Sequence, residues 1–360
     1  MTAENTTKNI QVIYTGGTIG MHPSAAGLVP DSALGAWLKE QLAGTDFEEC
    51  VRFTQLDPLI DSSNATPATW QQIVEAVRSA CAEATAFVIL HGTDTMAYTA
   101  AALSFALPDI SAPIIVTGAQ LPLTEFGSDA LTNLMGALQA AVHPGLAGVY
   151  IFFGRHLLRG NRATKLSAWD FEAFGTPEVE PVAQMAGPWK WAEEAEEGVR
   201  KAPAARTTAV CEHYNHLGLS LPAQPFAAHD VLVVHVVPGL TAQRLAALLD
   251  PLPKAVILRA YGTGNVPAEE PGFVEVLARA SAQGCVVVAS SQCVQPRTEL
   301  HTYAAGHVLL GAGVVSGGDA VLEALYAKVI FLLSQGLTAD RVRELIGIPL
   351  AGELTRVGEC

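Results

Sequence analysis

Val88-Ile-Leu-His-Gly-Thr-Asp-Thr-Met96 is the stretch from which the rest of the chain can be read. Its apolar opening predicts a buried strand, Gly92 turns the chain, and the small-residue run Ala97–Leu107 predicts a helix. A strand running into a helix leaves backbone N–H groups and short polar side chains at the carboxyl edge of a sheet. Open α/β folds bind ligands at that edge. A hydroxyl beside a carboxylate there, Thr93 with Asp94, suits an activated nucleophile or its orienting partner. Helix capping accounts for the same residues, since Thr and Asp favour N-cap positions. From this stretch alone both readings stand.

Working outward, short apolar runs alternate with amphipathic ones. Expected strands are Ile10–Tyr14, Val51–Gln55, Ala86–Leu90, Pro113–Thr117, Gly148–Phe153, Val231–Val237, Ala255–Ala260, Cys285–Ser290 and a shorter Val308–Leu310. Helical patterns cover Ser32–Leu42, Thr66–Glu83, Asp129–Val142, Ala242–Leu249, Gly272–Gln283 and Asp319–Ser334. Near-continuously apolar strands separated by helices imply an α/β fold with a parallel sheet covered on both faces. The alternation breaks between Gly175 and Ala228, a stretch carrying Trp189, Trp191 and the acidic run Glu193–Glu197. The expected organisation is a larger N-terminal α/β domain over residues 1–195, a connector over 196–228 and a smaller C-terminal α/β domain over 229–360.

With 360 residues, half of them apolar and 16% charged, the chain has ample material for a buried core and is globular rather than disordered. A net charge of −14 argues against nucleic acid or an anionic membrane as the main partner. Met1–Lys8 is polar, which predicts no signal peptide. Runs such as Val231–Val237 fall far short of the roughly 20 residues of a membrane span. The cysteines at 50, 81, 211, 285, 293 and 360 have no disulfide-like spacing, so a cytoplasmic location is expected.

Other polar stretches fall where loops meet strands. Thr15-Gly-Gly-Thr-Ile-Gly20 ends the first strand, and its glycines let the backbone turn where a side chain would obstruct a ligand. It is not a dinucleotide loop, because Thr15 replaces the first glycine and no acidic residue ends a second strand about 20 positions on. Thr18 is then either a hydroxyl held at a sheet edge or a turn residue. In Asp57–Asn64, a helix cap accounts for Ser63 or Asn64 but does not require Asp61 or Ser62, which suit an ammonium and a carboxylate respectively. Arg159-Gly-Asn-Arg-Ala-Thr-Lys165 is a basic loop in an acidic protein, and Lys165 completes a Thr–Lys–Asp arrangement if it reaches Thr93 and Asp94. Cys211-x-His213-x-x-His216 has zinc-binding residue types but no evident fourth ligand, so no metal site is expected.

Taken in order, Thr15–Gly20, Asp61-Ser62-Ser63, His91–Met96, Val116-Thr-Gly-Ala-Gln120, Ser128-Asp129, Arg159–Lys165 and Arg259-Ala-Tyr-Gly-Thr-Gly-Asn265 resemble the bacterial-type L-asparaginase/glutaminase family. Their wording is closest to its cytosolic type I branch, and they span nearly the whole chain. The resemblance implies hydrolysis of L-asparagine, and more weakly L-glutamine, to the amino acid and ammonia without metal or organic cofactor. It implies a homodimer or homotetramer. Thr18 matches the nucleophile that forms an acyl-enzyme, and Thr93, Asp94 and Lys165 match a second triad. Asp61 and Ser62 match positions that hold the substrate's α-amino and α-carboxylate groups, with Asp94 also facing the amine.

One position departs from the pattern: Leu28 stands where many members carry a flap tyrosine that supports the nucleophile. By resemblance to relatives with leucine in the flap, Tyr303 is expected to supply that hydroxyl. Arg259 and Thr164 match a regulatory asparagine site of some type I members. Two rival functions accompany this reading. One is the related amidotransferase subunit, whose extra N-terminal domain is not expected here because the first strand begins by Ile10. The other is an asparagine sensor without turnover, hinted at by Leu28.

Overall fold

Strands covered on both faces must be apolar at nearly every position, and Ala86–Leu90 and Pro113–Thr117 are buried throughout. The computed structural model describes residues 8–24, 27–30, 34–192, 203–302 and 304–355. The chain divides into two compact units, Met1–Thr176 with Glu180–Pro222, and Pro177–Val179 with Ala223–Cys360.

The described strands of the first unit begin with β1 (Ile10–Tyr14), β2 (Met21–Ser24), β3 (Gly27–Pro30), β4 (Val51–Gln55), β5 (Ala86–Leu90) and β6 (Pro113–Thr117). They continue as β7 (Gly148–Phe153), β8 (His156–Arg159), β9 (Thr164–Lys165), β10 (Phe174–Gly175), β11 (Ala183–Gln184) and β12 (Lys190–Trp191). Its helices are α1 (Leu34–Leu42), α2 (Pro67–Ala80), α3 (Met96–Ala106), α4 (Ala130–Ala141) and α5 (Pro203–His216). Short 3-10 turns at Thr18–Gly20 and Ser62–Asn64 follow β1 and β4.

The main sheet has the order β12-β11-β8-β7-β6-β5-β1-β4. The expected parallel pairing holds from β4 to β7. Beyond it lies an antiparallel edge of β8, β11 and β12. That reversal is made by a tight hairpin in which Gly154 (φ 54°) and Arg155 (φ 72°) both take positive φ, as a two-residue turn matching the strand twist requires. From β1 the chain passes to β4 on one side and then crosses back to β5 on the other. The carboxyl ends of β1 and β5 therefore flank a topological switch point, where open α/β sheets form their ligand crevice.

One sheet face packs Ile10, Val12, Val88 and Leu90 against Leu34, Leu38 and Leu42 of α1 and Leu134 and Leu138 of α4. Apolar positions in α1 recur at i and i+4, which puts them on the face that meets the sheet. Helix α3 is buried at nearly all positions and packs on β6 and β7, which explains its run of alanines. The stretch expected as a connector contains α5, which belongs to the first unit: Tyr214 is fully buried and donates to the Phe105 carbonyl, and Arg206 donates to Gly145 O. Conversely, Pro177–Val179 belongs to the second unit, where Gln295 donates to the Pro177 carbonyl.

The second unit carries β13 (Val231–His235), β14 (Ala255–Ala260), β15 (Val286–Ser291) and β16 (Val315–Ser316), all parallel and in that order. Its helices are α6 (Ala242–Leu248), α7 (Phe273–Ala282), α8 (Ala304–Gly311), α9 (Leu322–Ser334) and α10 (Ala339–Ile346). Val308–Leu310 is not a strand but part of α8, with Val308 exposed and Leu309 buried. Three apolar residues fit either period, and helical spacing places Leu309 and Ala312 together in the core. Behind the sheet, Lys328 of α9 meets Glu353 at 2.7 Å with both side chains fully buried. Burial pushes the Glu353 carboxyl up, but the Lys328 ammonium and the Leu350 and Ala351 N–H groups outweigh it and hold the group ionised.

Candidate active site

The end of β1 is fixed from two sides. Thr15 donates to the Leu90 carbonyl through both its N–H and its hydroxyl, and the Ile60 N–H donates to Thr15 O. Gly16 and Gly17 then take φ of +126° and +96°. A Cβ on Gly16 would lie 2.1 Å from Ile60 O, and one on Gly17 would lie 2.4 Å from Gly92 Cα. Only glycine lets these three loops close on one another. Thr18 follows at once, half-buried at the start of the 3-10 turn.

At the end of β5 the capping alternative for Thr93-Asp94-Thr95 is resolved residue by residue. Thr95 occupies the N-cap position of α3 but makes no capping bond; its hydroxyl donates to the Ser62 carbonyl at 2.8 Å. Lys165 Nζ donates to Thr93 Oγ1 at 2.8 Å and to Asp94 Oδ1 at 2.9 Å. The Lys165 side chain is 21% exposed and that of Asp94 61%, so the ammonium is enclosed while the carboxylate faces outward, open to a cationic ligand. The hydroxyl and carboxylate of one motif and the ammonium of another thus form one connected group.

Neither Ser63 nor Asn64 caps the following helix, and Asp61 caps a separate 3-10 turn instead. It is the N-cap of the Ser62–Asn64 turn and accepts from Ser63 N at 3.1 Å and Ser63 Oγ at 2.8 Å. Helix α2 begins instead at Thr66. Ser62 is buried beneath the Gly92 loop, where a Cβ on Gly92 would approach its Oγ to 2.4 Å. Below this surface, His91 is 1% exposed, and burial lowers its pKa against the opposing pull of the Gly92 carbonyl. A carbonyl only accepts, so Nδ1 carries the proton toward Gly92 O at 2.8 Å, and Nε2 accepts from the Thr99 hydroxyl at 3.0 Å. A neutral imidazole therefore anchors the loop from inside.

Sequence comparison places this arrangement. A family profile described as "Asparaginase, N-terminal" matches residues 9–197, and one described as "Glutaminase/Asparaginase C-terminal domain" matches residues 230–346. The chain belongs to the asparaginase family. It is 40% identical over 353 residues to "L-asparaginase 1" of Escherichia coli K12, covering 97% of this chain and 98% of that protein. It is 34% identical to the "60 kDa lysophospholipase" of Mus musculus, covering 97% of this chain but 63% of that longer protein. The crystal structure of L-asparaginase I from Vibrio cholerae superposes with a TM-score of 0.83 at 33% identity, over 97% of this chain and 99% of the other.

Among the remaining sequence expectations, Tyr303 and the Leu28 side chain lie outside the described residues. Thr164 lies in β9 of the first unit. Arg259 ends up in β14 of the second, donating to Ser290 Oγ at 3.1 Å. Cys211, His213 and His216 lie on α5, and among the described residues no group of three or more His, Cys, Asp and Glu side chains is placed to hold a metal. Gln120 and Asp129, to which the sequence motifs assign no role, both sit at the site. Gln120 Oε1 is 3.4 Å from Thr93 Oγ1, and the Asp129 carboxylate accepts from the Gln120 and Leu121 N–H groups. The signal was available: Gln120 follows the carboxyl end of a central strand.

Proposed function

We propose that this asparaginase-family chain hydrolyses L-asparagine to L-aspartate and ammonia through an acyl-enzyme on Thr18. Thr18 Oγ attacks the side-chain amide carbon, its proton passes to the amide nitrogen, and the tetrahedral intermediate collapses by breaking the C–N bond and releasing ammonia. Water then attacks the ester, and L-aspartate leaves as Thr18 regains its proton. Asp94 orients Lys165, and Lys165 acts on the Thr93 hydroxyl and on the attacking water. Asp61, Ser62 and Asp94 hold the amino-acid end of the substrate. The observation that carries this reading is the Lys165 ammonium bonded at once to Thr93 and Asp94 beside the switch point of the sheet. The asparaginase relative matches end to end, whereas the lysophospholipase match leaves over a third of that protein uncovered, which favours the amidase reading.

The finer parts of this reading are a Tyr303 hydroxyl supporting Thr18 in place of Leu28, weaker action on L-glutamine, a cytoplasmic location and a homodimer or homotetramer. Among the described residues no helix is long and apolar enough to cross a membrane. The fully exposed Phe126 and Trp169 of the first unit are the kind of surface that subunit contacts cover. Thr164 and Arg259 are further proposed to serve regulation by L-asparagine, as in some type I members; sigmoidal kinetics is the expected sign, and hyperbolic kinetics counts against it. Purified protein incubated with L-asparagine tests the activity: equal amounts of ammonia and aspartate are expected, and binding without either product favours a sensor instead. Tyr303→Phe tests the supporting hydroxyl, which unchanged kcat would eliminate.

A further inference from the structure

We infer that Gln120 is a positioning residue that sets the direction in which Thr93 points its hydroxyl proton; this rests on the asparaginase reading and deepens it. The orientation of the amide follows from its neighbours. The Asp170 carbonyl, 3.0 Å from Nε2, only accepts, so the NH2 end must face it and the oxygen end must face Thr93. A Lys165 ammonium only donates, so the Thr93 oxygen accepts from Nζ at 2.8 Å and its own proton must go elsewhere. Gln120 Oε1, at 3.4 Å, is the acceptor placed to receive it.

That contact is longer than the usual O–H···O range of about 2.5–3.0 Å, so it directs the proton without gripping it. Gln120 itself cannot drift. Its N–H donates to both oxygens of Asp129 at 3.0 Å, and the Leu121 N–H adds a bond at 3.1 Å. Asp129 is buried and accepts again from Asn133 Nδ2 at 2.9 Å. Asn133 in turn donates to Gly118 O and accepts from Gly154 N, which ties the turn to β6 and β7. Asp170 lies in the loop that follows Lys165, and Ser167 Oγ fixes it by accepting from its N–H at 3.0 Å. One amide thus registers the Thr93 loop against the loop that carries Lys165.

Steady-state kinetics with L-asparagine on the full chain test this, with wild type, Gln120→Met, Gln120→Glu and Thr18→Ala measured together. Met fills the volume without an acceptor; Glu keeps an acceptor toward Thr93 but does not donate to Asp170. The expected result is a loss of about tenfold in kcat for Gln120→Met with KM little changed, and recovery of most of that loss in Gln120→Glu. Wild-type kcat in Gln120→Met overturns the inference. A rise in KM alone makes Gln120 a substrate contact and overturns it too, and an equal loss in both variants assigns the effect to the lost donation to Asp170 and likewise overturns it. Wild-type protein that releases no ammonia fails the asparaginase reading, and the inference with it; an active wild type with an indifferent Gln120 fails the inference alone.

Discussion

At the scale of single residues, the proposed mechanism divides labour between two threonines. Thr18→Ala and Thr93→Ala are each expected to lose at least about a hundredfold in kcat, the scale of removing a positioned catalytic group. Lys165→Met is expected to match them, because methionine keeps the bulk but bonds neither Thr93 nor Asp94. Near-normal turnover in any of the three removes that residue from the mechanism. His91 makes a separate prediction about pH. Its proton affinity is lowered in the fold, so the unfolded chain binds protons first as pH falls. The stability that neutral His91 contributes is full above its ordinary pKa of 6.5 and is lost below it. His143 and His229, also lowered by burial, add to the same loss. Denaturant midpoints measured from about pH 7.5 to about pH 5 should fall, and His91→Gln should fall less. Equal slopes in the two proteins would contradict this.

At the scale of elements, the loop Thr15–Gly20 depends on backbone that only glycine supplies. Gly17→Ala would force a Cβ to within 2.4 Å of Gly92 at a φ of +96°. A cost of about 1–3 kcal/mol is expected, together with lost turnover from displaced Thr18. Unchanged denaturant midpoint and kcat would show that the loops do not need this contact. The elements differ in how far their sequences disclosed them. Central strands such as Ala86–Leu90 and Pro113–Thr117 are legible to the residue because both faces are covered and nearly every position is apolar. The antiparallel edge is not, since β11 and β12 are two-residue strands defined by pairing rather than by any pattern of their own. Val308–Leu310 misled because a short apolar run carries no period. The triad was legible as residue types at loop positions. The bridge through Gln120 was not, because it is set by which end of an amide faces which neighbour.

At the scale of the whole molecule, the second unit rests on an ion pair with no access to solvent. Lys328→Met alone leaves Glu353 charged and buried, and about 3–5 kcal/mol of destabilisation is expected; Lys328→Met with Glu353→Leu should recover most of it. A single variant as stable as wild type would contradict the ionised pair. Substrate preference also belongs to this scale, since the proposed reading has Asp61, Ser62 and Asp94 hold the amino-acid end while Thr18 attacks the amide. One extra methylene misplaces the amide relative to Thr18, and misplacement by about 1 Å costs roughly a hundredfold, so kcat/KM for L-asparagine should exceed that for L-glutamine by a wide margin. Comparable values would overturn that preference. The most direct test of the central claim is mass spectrometry of peptides from enzyme quenched during turnover of L-asparagine, using Lys165→Met to slow hydrolysis of the ester. An aspartyl ester on Thr18 is expected; the same adduct on Thr93, or turnover with Thr18 replaced by alanine, would contradict the proposed mechanism.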